Sequence, residues 1–184
     1  IIAMKEQWSR LYKGTLEERI KDETSKLFGN NNYSSLLCGI LEGNRPEVAE
    51  PDADKARQDA ETLNRFLSQE KKSEAKAKFV EIFLTRGWRE IKEISGVFQD
   101  VSNKYTLNGA IAEAFGDGDT GKALQTIDEF VTQPYDFFAK KLQKSMKGLG
   151  TDDSLLRRVI ISRAEIDLRN IGIVFGQRYG DGKT

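Results

Sequence analysis

Apolar residues recur at three- and four-residue steps along most of the chain, which is the spacing of a helix with one buried face. Tyr33, Leu36, Leu37, Ile40 and Leu41 are the clearest case, because all five fall on one side of a helix. No segment alternates apolar and polar residues with period two over a useful length. The pattern therefore predicts an all-α fold, in which short helices joined by short loops pack as compact bundles.

Polar and glycine-containing segments separate the predicted helices. Gly43 to Pro46 and Gly116 to Gly121 have the composition of turns. Lys26 to Asn32 is predicted to be a polar loop, and Ser68 to Glu74 a charged, solvated break between two helices. These interruptions leave helices of roughly ten residues each.

The apolar pattern repeats itself at a shift of 77 residues. With Arg86 set over Arg163, the apolar positions of two segments coincide: Phe79 with Leu156, Ile82 with Val159, Ile91 with Leu168, Ile94 with Ile171 and Phe98 with Phe175. A period of this length contains several helices and indicates an array of similar units. The two arginines stand at predicted helix ends, where we expect each to bond the C-terminal carbonyls of a helix.

The stretch from Met146 to Asp153 lies between two of these helical patterns. Gly148 and Gly150 accept positive φ, so the loop can turn tightly and aim several carbonyl oxygens at one point. Such oxygens suit a hard cation, and calcium takes many of its ligands from backbone carbonyls. Thr151 is predicted to cap the next helix through its hydroxyl, with Asp152 and Asp153 in the first turn. The other interpretation of the whole stretch is an ordinary helix–loop–helix corner with a glycine C-cap and a threonine N-cap.

A longer run of residues resembles the signature of an annexin repeat: Met146-Lys147-Gly148-Leu149-Gly150-Thr151-Asp152-Asp153, then Leu156 and Val159, then Ser162-Arg163 with Glu165 and Asp167-Leu168. The resemblance implies that the carbonyls of Met146, Gly148 and Gly150 hold Ca²⁺. It also implies that a carboxylate from the far end of the same repeat completes the site. The ion would then bridge the protein to membrane phospholipid.

The resemblance further implies repeats of about five short helices packed in a curved array. Residues 1–45 are then the C-terminal half of one repeat, 47–133 a complete but degenerate repeat, and 134–184 a repeat with an intact Gly-x-Gly-Thr loop, truncated at its C-terminal end. In the middle repeat, Gln69 to Glu74 stands in the place of the loop without a glycine, and Ala114 in the place of the carboxylate. In the first, Glu23 matches the carboxylate, and Lys26 to Asn32 is interpreted as an insertion.

Both ends of the sequence are interpreted as cuts through a longer protein, because the chain begins at Ile1 and stops at Thr184 after a glycine-rich turn. The resemblance implies that the loop belonging to Glu23 lies before Ile1, and that the carboxylate serving Gly150 lies beyond Thr184. We expect an extended chain to bind calcium at least about tenfold more tightly, unless a side chain such as Asp181 already supplies the charge.

Composition narrows the classes of function. The 184 residues are 38% hydrophobic and 32% charged, with 29 basic and 29 acidic side chains. A net charge near zero argues against nucleic acid as a partner, and against membrane attraction through basic charge alone. No apolar run is long enough to span a bilayer, and no signal peptide is recognisable. The single cysteine, Cys38, fits a reducing compartment, and the absence of histidine excludes His-based triads.

Other short motifs carry less weight. Lys147 to Thr151 has the wrong order and context for a phosphate-binding P-loop. The run from Asp117 to Gly121, which includes Asp119, has its glycine at the wrong position for an EF-hand loop. A simple turn is therefore favoured there, and a second, weaker calcium site with Asp117 and Asp119 is the alternative. If the glycine loop faces a bilayer, Lys147 and Leu149 are the residues that contact it.

The sequence thus predicts calcium-dependent binding to anionic phospholipid membranes by a cytoplasmic, peripheral protein without catalytic activity. The alternative is a calcium-independent structural scaffold of the same fold that works through cytoskeletal or other protein contacts. An enzyme is disfavoured because no nucleophile–base pair is visible.

Overall fold

A computed structural model describes residues 1–28, 31–46, 50–148 and 150–180, with only the backbone described for 25–28 and 31. Within these residues the chain forms eleven helices and no strand, so the predicted all-α class is confirmed. The helices are α1 (Ile2–Leu11), α2 (Leu16–Phe28), α3 (Asn31–Glu42), α4 (Ala53–Ser68), α5 (Lys72–Thr85), α6 (Trp88–Ser102), α7 (Leu107–Phe115), α8 (Asp119–Thr132), α9 (Pro134–Met146), α10 (Asp153–Arg163) and α11 (Leu168–Tyr179). None of the described helices combines the length and the apolar character needed to cross a bilayer.

The chain divides into two compact units, Ile1–Asp128 and Glu129–Thr184. The boundary between the units falls within α8. The predicted repeat boundaries, at residues 45–47 and 133–134, remain predictions.

The core of the first unit is built on the apolar faces that the sequence pattern predicted. Helix α4 lies against α5 and α6, and α7 packs on both of them. The small side chains of Ala56 and Ala60 are almost fully buried and allow α4 to lie close to its neighbours. The largest fully buried side chains of this unit are Leu36, Leu63, Phe79, Ile82, Phe83, Ile91, Ile94, Phe98, Leu107, Ile111 and Leu124. Each such side chain removed from water stabilises the fold by about 1.5–3 kcal/mol.

In the second unit, α9 packs against α10 and α11 around a smaller core. Its buried members are Ala139, Leu142, Val159 and Ile171. Partly buried aromatic and aliphatic side chains surround them, among them Phe138 and Phe175. The apolar faces predicted on both sides of the glycine loop therefore form the core of this unit.

The predicted loop from Lys26 to Asn32 is wrong in extent. Helix α2 continues to Phe28 and α3 begins at Asn31, while residues 29 and 30 lie outside the described part of the chain. Thr24 lies inside α2, where its hydroxyl donates to the carbonyl of Ile20 at 2.7 Å. Polarity alone was a poor guide to a loop here.

The prediction that Arg86 and Arg163 bond helix C-terminal carbonyls is also wrong. Arg86 forms two hydrogen bonds to the buried Asp59, at 2.7 and 3.1 Å. Arg163 likewise forms two to Asp167, at 2.8 and 2.7 Å. A planar guanidinium matches a carboxylate with two parallel bonds, which are stronger than bonds to neutral carbonyls. These bonds raise the pKa of both arginines.

Arg45 takes the role that was predicted for Arg86. Its guanidinium donates to the carbonyls of Phe83 and Arg86 at the end of α5. The same group lies over the indole of Trp88, 3.8 Å from the ring centroid. Trp88 therefore packs against an arginine within the first unit, although 44% of its surface stays exposed.

Candidate metal centre

The loop between α9 and α10 has the backbone conformation that its glycines predict. Gly148 has φ of 110° and Gly150 has φ of 97°, both in the region that favours glycine. A Cβ at either position would meet no atom within 4 Å, so backbone conformation alone requires glycine there. Leu149, predicted to contact a membrane, lies outside the described residues.

The residue that caps α10 is Asp152, and the prediction of Thr151 is wrong. The Asp152 carboxylate accepts a hydrogen bond from the backbone N–H of Leu155 at 3.0 Å. Its own N–H donates to the carbonyl of Ser145 at 2.8 Å, which closes the loop back onto α9. A carboxylate is as good an N-cap as a hydroxyl, and it also interacts favourably with the helix dipole.

The three carbonyls predicted to hold calcium belong to Met146, Gly148 and Gly150. In the described part of the chain, no hydrogen-bond donor is directed at any of these three oxygens. Backbone carbonyl oxygens are among the ligands that calcium takes in proteins. The described residues contain no group of three acidic, cysteine or histidine side chains that would add charge to such a site. The assignment of these three residues remains a prediction.

Solvent reaches the same loop. Met146 has 43% of its surface exposed, and Lys147 is exposed beside it. An exposed lysine next to the loop is compatible with its predicted contact to a membrane surface, which also remains a prediction.

The other candidate ligands lie apart from this loop in the sequence and stay predictions. Glu23 lies on α2 in the first unit and pairs with Arg19 at 2.6 Å, with about half of its side chain exposed. Asp117 lies in the exposed turn after α7, and Asp119 begins α8. Gly116 has φ of 59° and ends α7 at this turn.

The α4–α5 loop, which falls near the glycine loop under the 77-residue shift, is the shorter of the two. Helix α4 ends at Ser68 and α5 already begins at Lys72, so only three residues join them, with Glu70 at φ of 55°. Ala114, at the carboxylate position, is buried, and the neighbouring Glu113 pairs with Lys72 at 2.9 Å. That this loop lacks the usual calcium site remains a prediction.

Lys72 and Glu113 are functional candidates that the sequence reasoning missed. They lie 41 residues apart, and no local motif connects them. The resemblance to an annexin repeat is the signal that points toward them, because it puts the carboxylate position at Ala114, next to Glu113.

We expect Glu74→Ala to leave calcium binding unchanged. Glu74 is exposed in the first turn of α5, and the loop beside it lacks the two glycines of the α9–α10 loop. Calorimetric titration should therefore give the same heat and affinity for the variant, for the parent and for the exposed control Glu61→Ala. A large loss of calcium heat in Glu74→Ala alone would place a calcium site at this loop.

Known proteins resemble the chain over nearly its whole length. A family model described as Annexin matches residues 137–181. Annexin A13 of Homo sapiens is 34% identical over 97% of the chain, and annexin A6 of Rattus norvegicus is 32% identical over 97%. The chain spans 54% of the former protein and 26% of the latter.

Solved structures agree with the sequence comparisons. A structure of annexin III superposes with a TM-score of 0.82 at 27% identity, covering 96% of this chain and 52% of that one. A structure of chicken annexin V in complex with Zn²⁺ gives a TM-score of 0.77 at 29% identity, covering 96% of this chain and 53% of that one. The matches extend well beyond the glycine loop, and on these grounds the chain belongs to the annexin family.

Proposed function

We propose that this protein binds anionic phospholipid membranes in a calcium-dependent manner and without catalysis. The observation that carries the proposal is the α9–α10 loop, in which two glycines at positive φ leave the carbonyls of Met146, Gly148 and Gly150 without a hydrogen-bond donor among the described residues. Membership of the annexin family supports the same function, because calcium and phospholipid binding are characteristic of that family.

Calcium supplies the positive charge that the protein lacks. The formal net charge is zero, so anionic lipid gains little attraction from the protein as a whole. A divalent ion held by neutral carbonyls keeps its charge and part of its coordination shell for lipid phosphate oxygens. The protein would therefore act as a peripheral membrane protein on the cytoplasmic side.

A calcium-independent scaffold is the second candidate, and the α4–α5 loop favours it. That loop lacks glycine, and Lys72 at its end already pairs with the carboxylate of Glu113. If the α9–α10 loop also bound no calcium, the protein would work through protein contacts.

Co-sedimentation with vesicles distinguishes the two candidates. We expect the chain to pellet with phosphatidylserine-containing vesicles in calcium and to be released by chelator, because the ion forms the bridge. Vesicles of phosphatidylcholine alone serve as the control and should bind weakly. Equal pelleting in calcium and in chelator would remove the calcium bridge and favour the scaffold.

A further inference from the structure

An ammonium group lies between two helix ends in the first unit. The Nζ of Lys72 lies 2.9 Å from the Oε1 of Glu113 and 3.5 Å from the Glu113 carbonyl. Both side chains are partly exposed, at 56% for Lys72 and 41% for Glu113. The lysine thus reaches from the first residue of α5 to the last turn of α7.

The direction of this contact has an electrostatic reason. An ammonium is disfavoured at the N-terminus of a helix and favoured at a C-terminus, where free carbonyls carry partial negative charge. Lys72 belongs to the N-terminus of α5, yet its charge lies at the C-terminal end of α7. The ion pair also lowers the pKa of Glu113, mainly through the hydrogen bond from Lys72.

The position of Lys72 corresponds to the glycine loop of the second unit. Under the 77-residue shift, Lys72 falls on Leu149, between Gly148 and Gly150. The first residue of α10, Asp153, corresponds to position 76 under this shift, but α5 already begins at Lys72. The first turn of α5 therefore occupies positions that are loop in the second unit. A side-chain cation has therefore been introduced at the place where the second unit offers carbonyl oxygens.

A cavity with mostly polar side chains in its lining surrounds this ammonium. It has a volume of about 670 Å³ and is lined by Lys72 together with Asn64, Leu67, Ser68, Glu70, Ser102, Tyr105 and Glu113. Lys104 also lines it, with its ammonium over the Tyr105 ring at 4.6 Å from the centroid. Without the charge of Lys72, two carboxylates and several hydroxyls would remain beside the single ammonium of Lys104, and their oxygens are a donor set for a hard cation.

We propose that Lys72 is a tethered cation that fills the place of a divalent ion between the α4–α5 loop and the end of α7. The loop of the middle repeat is then held closed without calcium, and a cation site exists there only when the ammonium is removed. This inference concerns the first unit alone and does not depend on the proposed calcium site at Met146, Gly148 and Gly150.

Terbium luminescence tests the proposal, because Tyr105 lines the cavity and can sensitise a bound Tb³⁺ ion. We expect Lys72→Gln to gain a saturable terbium component, with an affinity at least about tenfold above that of the parent at this site. Emission from any other site is present in the parent and is subtracted. Lys72→Arg retains the positive charge and should gain no component.

Two double variants locate the new ion. Lys72→Gln with Glu113→Gln should lose the new component because the carboxylate is gone. Lys72→Gln with Tyr105→Phe should lose the sensitised emission. No gain in Lys72→Gln, or a gain that survives both second substitutions, would overturn the proposal.

Thermal unfolding provides a second readout for the same variants. Calcium should raise the midpoint of Lys72→Gln by more than it raises that of the parent or of Lys72→Arg, because ligands stabilise the state that binds them. Equal calcium shifts in all three proteins would also overturn the proposal. Because Lys72 is more than half exposed, its replacement by glutamine is expected to leave the fold intact.

Discussion

Gly150→Val is expected to weaken calcium-dependent vesicle binding strongly while leaving the helices folded. Gly150 has φ of 97°, and a β-branched residue in such a conformation costs about 1–3 kcal/mol. Valine would therefore pull the loop into another conformation and move the Gly148 and Gly150 carbonyls apart. If calcium binding requires the observed loop, its affinity should fall by roughly 5- to 150-fold. Calcium titration of vesicle co-sedimentation measures this change.

Gly172→Ala is the matched control for that experiment. Gly172 lies in α11 of the same unit without a positive φ, and a Cβ at this position would meet no atom within 4 Å. Alanine there should stabilise the helix by about 0.5–1 kcal/mol and leave calcium affinity unchanged. A Gly150→Val protein that binds vesicles with the calcium dependence of the parent would show that this loop does not hold the ion.

Asp59→Ala is expected to destabilise the protein by about 3–5 kcal/mol, because it leaves the Arg86 guanidinium without its carboxylate. Asp59 has 8% of its side chain exposed and Arg86 has 17%, so water compensates little for the lost pair. The bond also joins α4 to the end of α5, two helices that enclose the main core. Urea unfolding of the parent and variant gives the difference in the free energy of unfolding.

A surface ion pair provides the control for this second experiment. Arg57 and Glu61 lie on the same helix as Asp59 and are more than half exposed, at 59% and 55%. Glu61→Ala should cost only about 0.3–0.5 kcal/mol. A double-mutant cycle of Asp59→Ala with Arg86→Met then isolates the coupling between the two charges. A coupling energy between Asp59 and Arg86 no larger than that of the Arg57–Glu61 pair would contradict the prediction that the buried pair stabilises the fold more.

The helices and the glycine loop could be predicted from local sequence because their causes are local. An apolar residue every third or fourth position specifies one buried face, and Phe79, Ile82 and Phe83 are buried as that spacing predicts. Gly148 and Gly150 were expected at positive φ because no other residue adopts it at so little cost.

Where two local signals competed, the sequence was a weaker guide. Thr151 and Asp152 are adjacent, and either side chain can cap α10, so composition could not choose between them. Asp152 is the cap because its N–H also reaches the carbonyl of Ser145. In the same way, Thr24 is compatible with a helix end or a helix interior, and α2 continues past it.

The all-α class, the repeated pattern and the glycine loop of this annexin follow from its residues alone, whereas the pairing of its charges follows from how the helices pack. Arg86 pairs with Asp59, 27 residues away, and Lys72 pairs with Glu113, 41 residues away. A charged side chain has many potential partners along a chain with 32% charged residues, and no periodicity selects among them. Each pair forms because packing of the apolar faces brings particular positions of two different helices together.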